Sequence, residues 1–530
     1  MKLALTPTLL FTTIATLLLG YSLWQLDPGY MSLWQATFTF LGLMTLVFAL
    51  QQMANWAGRK SVVSLLAIAL AIGGGAAAVS GWQEYIDHLH QSDFYRQQIN
   101  GFIGQANLYA SLVLLGWLAA IYLLCHIPFR WVRYITLFAA HILYCAPLPF
   151  TGSRTMLISM LALSLLSLAG WFMFRLQETK RMAGTVLLAM LLGLAAQVSL
   201  PEVASKLTGI SNRSTLNRIE AAGMTGSKRL RTDEWRKSVL VWEAHPVGGA
   251  GVGRYAYESF QLQQRPPFNE VQREQVYDHS HNLFTQLAAE TGSVGLALTC
   301  TLFLIWLWQQ RATEKNAATL FCWSGILVLF IHSNLEYPLW YWYFLISFTI
   351  MLAMTDEAIA YIRVNTAMIS LLFLACLGGT GWAVYTTYIG ASQVEEGYAL
   401  SDDQPKKAMA IGEQAARNPF VAIEADQMVS YLENVEPVNL GYKLARNTRL
   451  LHWRPYASVV YHRALLMAQL GKMDEAKKWL LAGLKVYPSK RVDYFDPLLD
   501  DSVQNANLKA LRAFYKQALQ AMAAPKTAAH

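Results

Sequence analysis

Charged residues are scarce in this chain. Asp, Glu, Lys and Arg make up 14% of its 530 residues, against about 25% in an ordinary soluble domain, so a soluble globular fold is excluded. Cysteine is scarce as well. Cys125, Cys145, Cys300, Cys322 and Cys376 all fall within apolar runs, and with none in a polar region no structural disulfide is expected in either redox compartment. No Walker-type glycine-rich loop is present, so nothing calls for a nucleotide. The first apolar run lacks a small-residue cleavage site and reads as a retained span. The net charge of +8 does not point to nucleic acid, because much of it sits in short loops where membrane orientation accounts for it.

Apolar residues are abundant, at 54%. Runs near the 20 residues that cross a bilayer recur through the first three quarters of the chain. In lipid a helix satisfies its own backbone, so these runs read as helices. Eleven spans are expected, at approximately 6–25, 31–50, 61–81, 104–125, 131–150, 155–175, 183–200, 283–308, 317–335, 338–354 and 366–390. The fold class is therefore an all-α, polytopic helical membrane protein. Its expected divisions are spans 1–7 over 1–200, a large polar loop over 201–281, spans 8–11 over 282–390, and a polar tail over 391–530.

Alternate loops hold Arg59 with Lys60, Arg130 with Arg133, Arg175 with Lys180 and Arg181, Arg311 with Lys315, and Arg363, whereas the intervening short loops hold little beyond Arg96 and Arg154. The positive-inside rule assigns the first set to the cytoplasm together with the N-terminus. The loop 201–281, the turns near 152 and 335, and the tail then face outward. In the tail, Ala464, Gly471, Ala476 and Pro488 follow the spacing of a tetratricopeptide-like helical hairpin. One such repeat cannot bury its own apolar face, so a small helical domain is expected. It serves either as a cap or as a docking surface for a protein.

Chemistry-bearing residues gather on the outward side. His281 and Asn282 are followed by nine residues and then Gly292-Ser293-Val294-Gly295. Upstream lie RTDEWRKSVLVWEAHPVGGAGVGRYAYESF (Arg231 to Phe260) and TGSRT (Thr151 to Thr155), with GFIGQANLYASL (Gly101 to Leu112) and HSNLEYPLWYWYF (His332 to Phe344) on either side. The first three stretches resemble the signatures of the O-antigen ligase superfamily. The last two resemble its bacterial protein O-oligosaccharyltransferase branch, which glycosylates pilins and other exported proteins. The resemblance implies an enzyme of the bacterial inner membrane with its active site in the periplasm. It would move an oligosaccharide en bloc from undecaprenyl diphosphate to a Ser or Thr hydroxyl of an exported, pilin-like protein, with no cofactor.

The residues suit that chemistry. A serine hydroxyl needs a base with a pKa near the working pH, and histidine fits best. His281 is the candidate base, with Ser280 expected to cap the helix that follows. A lipid diphosphate leaving group needs fixed positive donors, and the planar fork of arginine matches phosphate oxygens. Arg154 and Arg231 are the candidate clamps, and Arg229 or Arg236 would substitute for Arg231 if the register differs by a turn. The charged run around Arg231, Lys237 included, otherwise reads as a solvated helix face. His279, Asn282, Gln105, Asn107, His332, Glu336 and Tyr337 are further site-lining candidates. For Gln105 and Asn107 the plainer reading is a helix cap, and for His279 a solvated loop residue. The pairs His88/His90 and His279/His281 could each hold a metal in an extended segment. No cysteine or carboxylate cluster stands nearby at ligand spacing, so no metal is expected.

Other readings compete. A lipid or solute transporter would keep ionisable residues deep in its spans, where only His141 and Glu290 fall. A membrane-anchored scaffold would depend on its tail and not on His281. Within the enzyme class, the acceptor could be a lipid A core sugar, as for an O-antigen ligase, or a growing glycan chain, as for a polymerase.

Overall fold

The computed structural model describes residues 2–25, 31–89, 98–208, 227–270, 274–433, 437–496 and 505–523. Within them eight helices are long and apolar enough to cross a membrane, and three shorter apolar helices occupy the remaining expected positions, at Pro7–Ser22, Ala317–Ser333 and Trp342–Thr355. In chain order the elements are β1 (Lys2–Leu5), α1 (Pro7–Gln25), α2 (Met31–Ala57), α3 (Arg59–Leu89), α4 (Ala106–Leu124), α5 (Arg130–Cys145), α6 (Arg154–Met173) and α7 (Gln177–Thr208). Then come α8 (Ser227–Ala244), α9 (Tyr255–Gln263), α10 (Leu283–Gln309), α11 (Ala317–Ser333), α12 (Trp342–Thr355), β2 (Ala360–Arg363) and α13 (Thr366–Ala399). The chain is a polytopic helical membrane protein.

The core of the bundle is α4, 78% of whose apolar window is buried. It crosses α3 at Gly116, where a Cβ would stand 2.7 Å from the Cα of Gly74. Two glycines here let the helix backbones touch, the usual way membrane helices pack closely when lipid supplies no hydrophobic drive. α13 lies at the edge, with only 6% of its window buried. It runs on to Ala399, beyond the expected end near 390.

The loops divide between two faces. Lys2 pairs with Arg363 in the antiparallel β1–β2 ribbon, Arg59 bonds Glu357 at 2.9 Å, and the Gln309 amide donates to the Glu357 carbonyl. Ser64 and Tyr122 are 3.2 Å apart, which brings the α3 start and the α4 end to the same side. His126 meets Glu178 there at 2.6 Å. The Lys/Arg-rich loops thus share one face, as their alternation requires. The small β-ribbon was not foreseen; four-residue strands leave too little pattern to read. Arg96 and His90 lie outside the described residues.

Among its described residues the polar interval 201–281 is mostly helical: α7 continues to Thr208, and α8 and α9 hold later parts of it. Beyond α13 come α14 (Pro405–Ala415), α15 (Ala422–Leu432), α16 (Leu440–Trp453), α17 (Ala457–Gln469), α18 (Met473–Val486), α19 (Arg491–Tyr494) and α20 (Ala506–Ala523). α17 and α18 pack together as a helical hairpin over the stretch that holds Ala464, Gly471 and Ala476. Ala464 and Ala476 are fully buried, and Gly471 turns the chain at φ +75°. Residues of α15 to α18 and α20 share one apolar core with Phe260 of α9, whose ring stacks near Trp479 and Tyr487. The tail also docks on the bundle, where Phe420 packs against Trp34, Phe38 and Trp382.

Candidate active site

Three helices start at the face opposite the Lys/Arg-rich loops, and a polar side chain caps each. Gln105 accepts from Leu108 N at 2.6 Å and caps α4. Ser153 accepts from Met156 N and caps α6. Asn282 accepts from Phe284 N and Thr285 N, each at 3.1 Å, and caps α10. The cap of α10 is thus Asn282 and not Ser280. Ser280 is drawn inward instead, giving its N–H to Gln286 Oε1 and its hydroxyl to the Asn282 carbonyl. The N-termini of these helices carry unpaired N–H groups and partial positive charge.

Between the helix starts lies a polar network with Glu336 at its centre. Arg231 Nη2 is 2.6 Å from Glu336 Oε1, and Asn107 Nδ2 donates to the same oxygen at 3.2 Å. Ser153 Oγ gives its proton to Asn107 Oδ1 at 2.7 Å. His281 Nε2 stands 3.7 Å from the other carboxylate oxygen, Oε2, which is too long for a hydrogen bond and close enough for a charge interaction once the ring takes up a proton. The side chains of Glu336 and His281 are 9% and 10% exposed, and that of Arg231 32%. Burial pushes the Glu336 carboxyl above its ordinary range, and Arg231, Asn107 and Arg154 pull the other way. Arg154, the first residue of α6, makes no ion pair among the described residues.

His281 adopts φ +59°, an unusual conformation for a residue with a Cβ, in the turn that enters α10. Burial, the His279 ring and the Arg231 guanidinium hold its imidazole down to about 3, so it is neutral at pH 7. Burial leads this depression, ahead of the charged neighbours. His279 is also buried, contrary to its reading as a solvated loop residue. Its ring lies 3.4 Å, centroid to centroid, from that of Tyr337 and 4.2 Å from that of His281. Burial and then Arg454 hold His279 at about 3.

Other candidates fall in or out of this group. His332 is fully buried, with Nδ1 2.8 Å from Ser111 Oγ, and its carbonyl receives the Glu336 N–H at 2.8 Å. Asn282 also reaches Asn334, tying the start of α10 to the turn that carries Glu336. Gln105 acts as a helix cap. Arg236 is exposed and outside the network. The side chain of Arg229 lies outside what the structure describes.

Within the run around Arg231, Lys237 does not lie on a solvated face. Lys237, 1% exposed, donates to Glu234 Oε1 at 2.7 Å, Gln263 Oε1 at 2.7 Å and Ser259 Oγ at 3.2 Å. Tyr255 OH donates to Glu234. This buried pair locks α8 against α9. The readable signal was Tyr255, Ser259 and Gln263 at i, i+4 and i+8, a polar stripe on one face of a short helix.

The glycines of the two motifs form one joint. Gly292 breaks α10 at φ +63°, and a Cβ there would lie 2.2 Å from the Val247 carbonyl oxygen. Gly249, at φ +72°, lies as close to the Glu290 backbone. Across this contact Ala250 N bonds Ala289 O, Gly251 N bonds Glu290 O, and Ser293 N bonds Pro246 O. The glycine-rich turn after α8 is therefore bolted to the kink in α10, and Trp242 Nε1 donates to Ser293 Oγ at 3.1 Å. That joint sets Arg231 relative to His281. It also places Glu290 beside the loop, near the start of α10, and not deep in a span.

A cavity of about 470 Å³ opens beside His279 and His281. One wall is the segment 274–281 with Tyr337. The other comes from the tail and includes Arg454, Tyr456, Tyr487, Lys490 and Tyr494. Arg454 is paired with Asp278, next to the histidines.

Two family models match the chain. One, described as O-antigen ligase, covers residues 139–300, which hold Arg154, Arg231 and His281. The other, described as the C-terminal part of a virulence factor membrane-bound polymerase, covers 320–494, which hold Glu336 and most of the tail. No curated protein matches the chain.

Proposed function

We infer that this chain, a member of the O-antigen ligase superfamily, is a protein O-oligosaccharyltransferase of the bacterial inner membrane. It transfers a glycan from undecaprenyl diphosphate to a Ser or Thr hydroxyl of an exported, pilin-like protein in the periplasm. The observation that carries the reading is the meeting of His281, Glu336 and Arg231, beside Arg154, at three helix starts. Guanidinium groups and helix N-termini suit a diphosphate, and an unprotonated imidazole whose basicity rises as the diphosphate charge arrives suits a hydroxyl proton.

The step balances as follows. The acceptor oxygen attacks the anomeric carbon and loses its proton to His281. The bond from that carbon to the phosphate oxygen breaks, and the lipid diphosphate leaves with the electron pair, held by Arg154 and Arg231. Arg231 is paired with Glu336. A bound diphosphate competes for Arg231, and as that pair loosens the Glu336 charge acts more fully on His281. The base is thereby strengthened when the donor is in place, and Glu336 stabilises the imidazolium that forms. An attacking hydroxyl approaches the anomeric carbon from the side opposite the leaving diphosphate. The cavity between His281 and the tail is the entrance that fits it, which makes the tail a docking surface as well as a cap.

The name of the second matching family, a polymerase, favours one other reading, transfer to a sugar hydroxyl of a growing glycan. Purified protein mixed with lipid-linked glycan and a periplasmic extract decides between them by intact mass. A protein gaining one whole glycan supports the proposal. Lengthened lipid-linked glycan with unmodified protein supports the polymerase, and no product of either kind ends both.

A further inference from the structure

At the membrane face opposite His281 the structure holds a second cavity, of about 580 Å³. Its wall includes Arg130 and Arg133 of α5, Arg181 of α7, and His126 and Glu178. α4 separates it from the candidate active site: Asn107 stands at one end of that helix and Cys125 at the other. Nineteen helical residues span about 28 Å, so the two cavities do not share a ligand.

The charge in this cavity is unbalanced. Three guanidinium groups face one carboxylate, and Glu178 is already engaged by His126 Nε2 at 2.6 Å. Arg133 is buried, 6% exposed, with Nη1 donating to the Ile127 carbonyl at 2.9 Å and its guanidinium 5.5 Å from the Tyr134 ring. Arg130 and Arg181 make no ion pair among the described residues. Such a group of arginines at a helix bundle's rim fits a phosphate, which accepts several N–H bonds at once.

The setting selects the source of that phosphate. Beside the cavity α5 turns a stripe of exposed apolar and aromatic side chains outward, with Trp131 at 81%, Ile135 at 66% and Phe138 at 67% exposure, and Phe129 at 71% just before it. Aromatic side chains of this kind mark the level of lipid headgroups, and the stripe below them faces acyl chains. We propose that this cavity binds the phosphate of an anionic glycerophospholipid, with the acyl chains lying along α5. Basic pockets between membrane helices on the positively charged side are suited to such headgroups. The site is separate from the donor site and independent of the reaction assigned above.

The test uses the full-length protein in neutral detergent, with native mass spectrometry counting bound lipid. The probes are phosphatidylglycerol, phosphatidylcholine and inorganic phosphate. Phosphatidylglycerol is expected to bind saturably and in preference to phosphatidylcholine. The paired variant R130Q/R181Q should weaken it by roughly 25-fold, about fivefold per arginine. The control pair K60Q/R175Q removes equal charge from the same face outside the cavity and should leave the affinity within about twofold. Arg130 and Arg181 are exposed, so a folded variant is expected; if it fails to fold, Arg181→Gln alone should give about a fivefold loss. Equal weakening in the control pair, or no preference over phosphatidylcholine, overturns the site. Displacement of the lipid by millimolar inorganic phosphate makes it a soluble-anion site and overturns the lipid assignment.

Discussion

Arg231 and Glu336, 105 residues apart in sequence, meet at 2.6 Å, and the carboxylate they share with Asn107 turns its other oxygen toward His281. The proposed diphosphate ligand and the proposed base are therefore connected through one side chain. Removing that carboxylate should separate binding from chemistry. Glu336→Gln keeps the shape and a hydrogen bond to Arg231 but no charge for the imidazolium. Its single-turnover rate should fall by about 10²-fold, within the range ordinary for losing acid–base assistance, with donor affinity kept or improved because Arg231 is freed. Unchanged turnover would remove Glu336 from the mechanism.

The pH dependence follows from the burial of the histidines. In the free protein His281 and His279 sit at about 3, so both stay neutral well below pH 6.5. The acid limb of kcat/KM, which reports the free enzyme, should therefore lie below pH 6. A bound diphosphate adds negative charge near His281 and favours the imidazolium, so the acid limb of kcat should lie at higher pH than that of kcat/KM. Stability has the same sign. Two histidines depressed in the folded state favour the unfolded chain once it can take up their protons, so stability should be full above about pH 6.5 and fall as pH drops toward 3. A stopped-time transfer assay and a melting series across pH 4–8 check both.

Gly292→Ala tests the joint between the two motifs. The new Cβ must enter a left-handed residue 2.2 Å from the Val247 carbonyl oxygen. A loss of about 1–3 kcal/mol is expected from backbone strain of this kind. The loop 246–253 should lift off α10 and become sensitive to limited proteolysis, with transfer falling although His281 and Arg231 are both present. A protease-resistant, fully active variant would show that the joint does not set the site.

The tail side of the cavity should govern the acceptor. Tyr494 and Lys490 line it from the far wall. Tyr494→Ala is expected to raise KM for the protein acceptor by about tenfold, while slow hydrolysis of the lipid-linked donor by water stays unchanged. Equal KM values would return the tail to the role of a cap.

Much of this was legible in the sequence, for physical reasons. A span needs about 20 apolar residues wherever it lies, so all eleven apolar helices could be placed and the Lys/Arg loops sorted to one face. His281, Arg231 and Glu336 stood out because their neighbours resembled known motifs. What could not be read was contact over long sequence distances. Ser153 joins the network only because α6 begins beside α4, and Arg454 reaches Asp278 only because the tail folds back over the loop. Lys237 was misread for the same cause: a lysine in a charged run looks solvated until the helix that buries it is known. The cap of α10 was misplaced by two residues, since Ser280 and Asn282 both have the side chain a cap needs and only the backbone decides between them.

The sharpest measurement is single-turnover glycan transfer by purified His281→Ala, beside the parent, from lipid-linked donor to an exported acceptor protein. The variant should bind donor within about threefold of the parent and melt at a similar temperature. Its transfer rate should fall by 10²-fold or more, the scale of a lost general base. Transfer at close to the parental rate in a folded, donor-binding variant would contradict the assignment of the proton to His281, and with it the reading of this face as the catalytic centre.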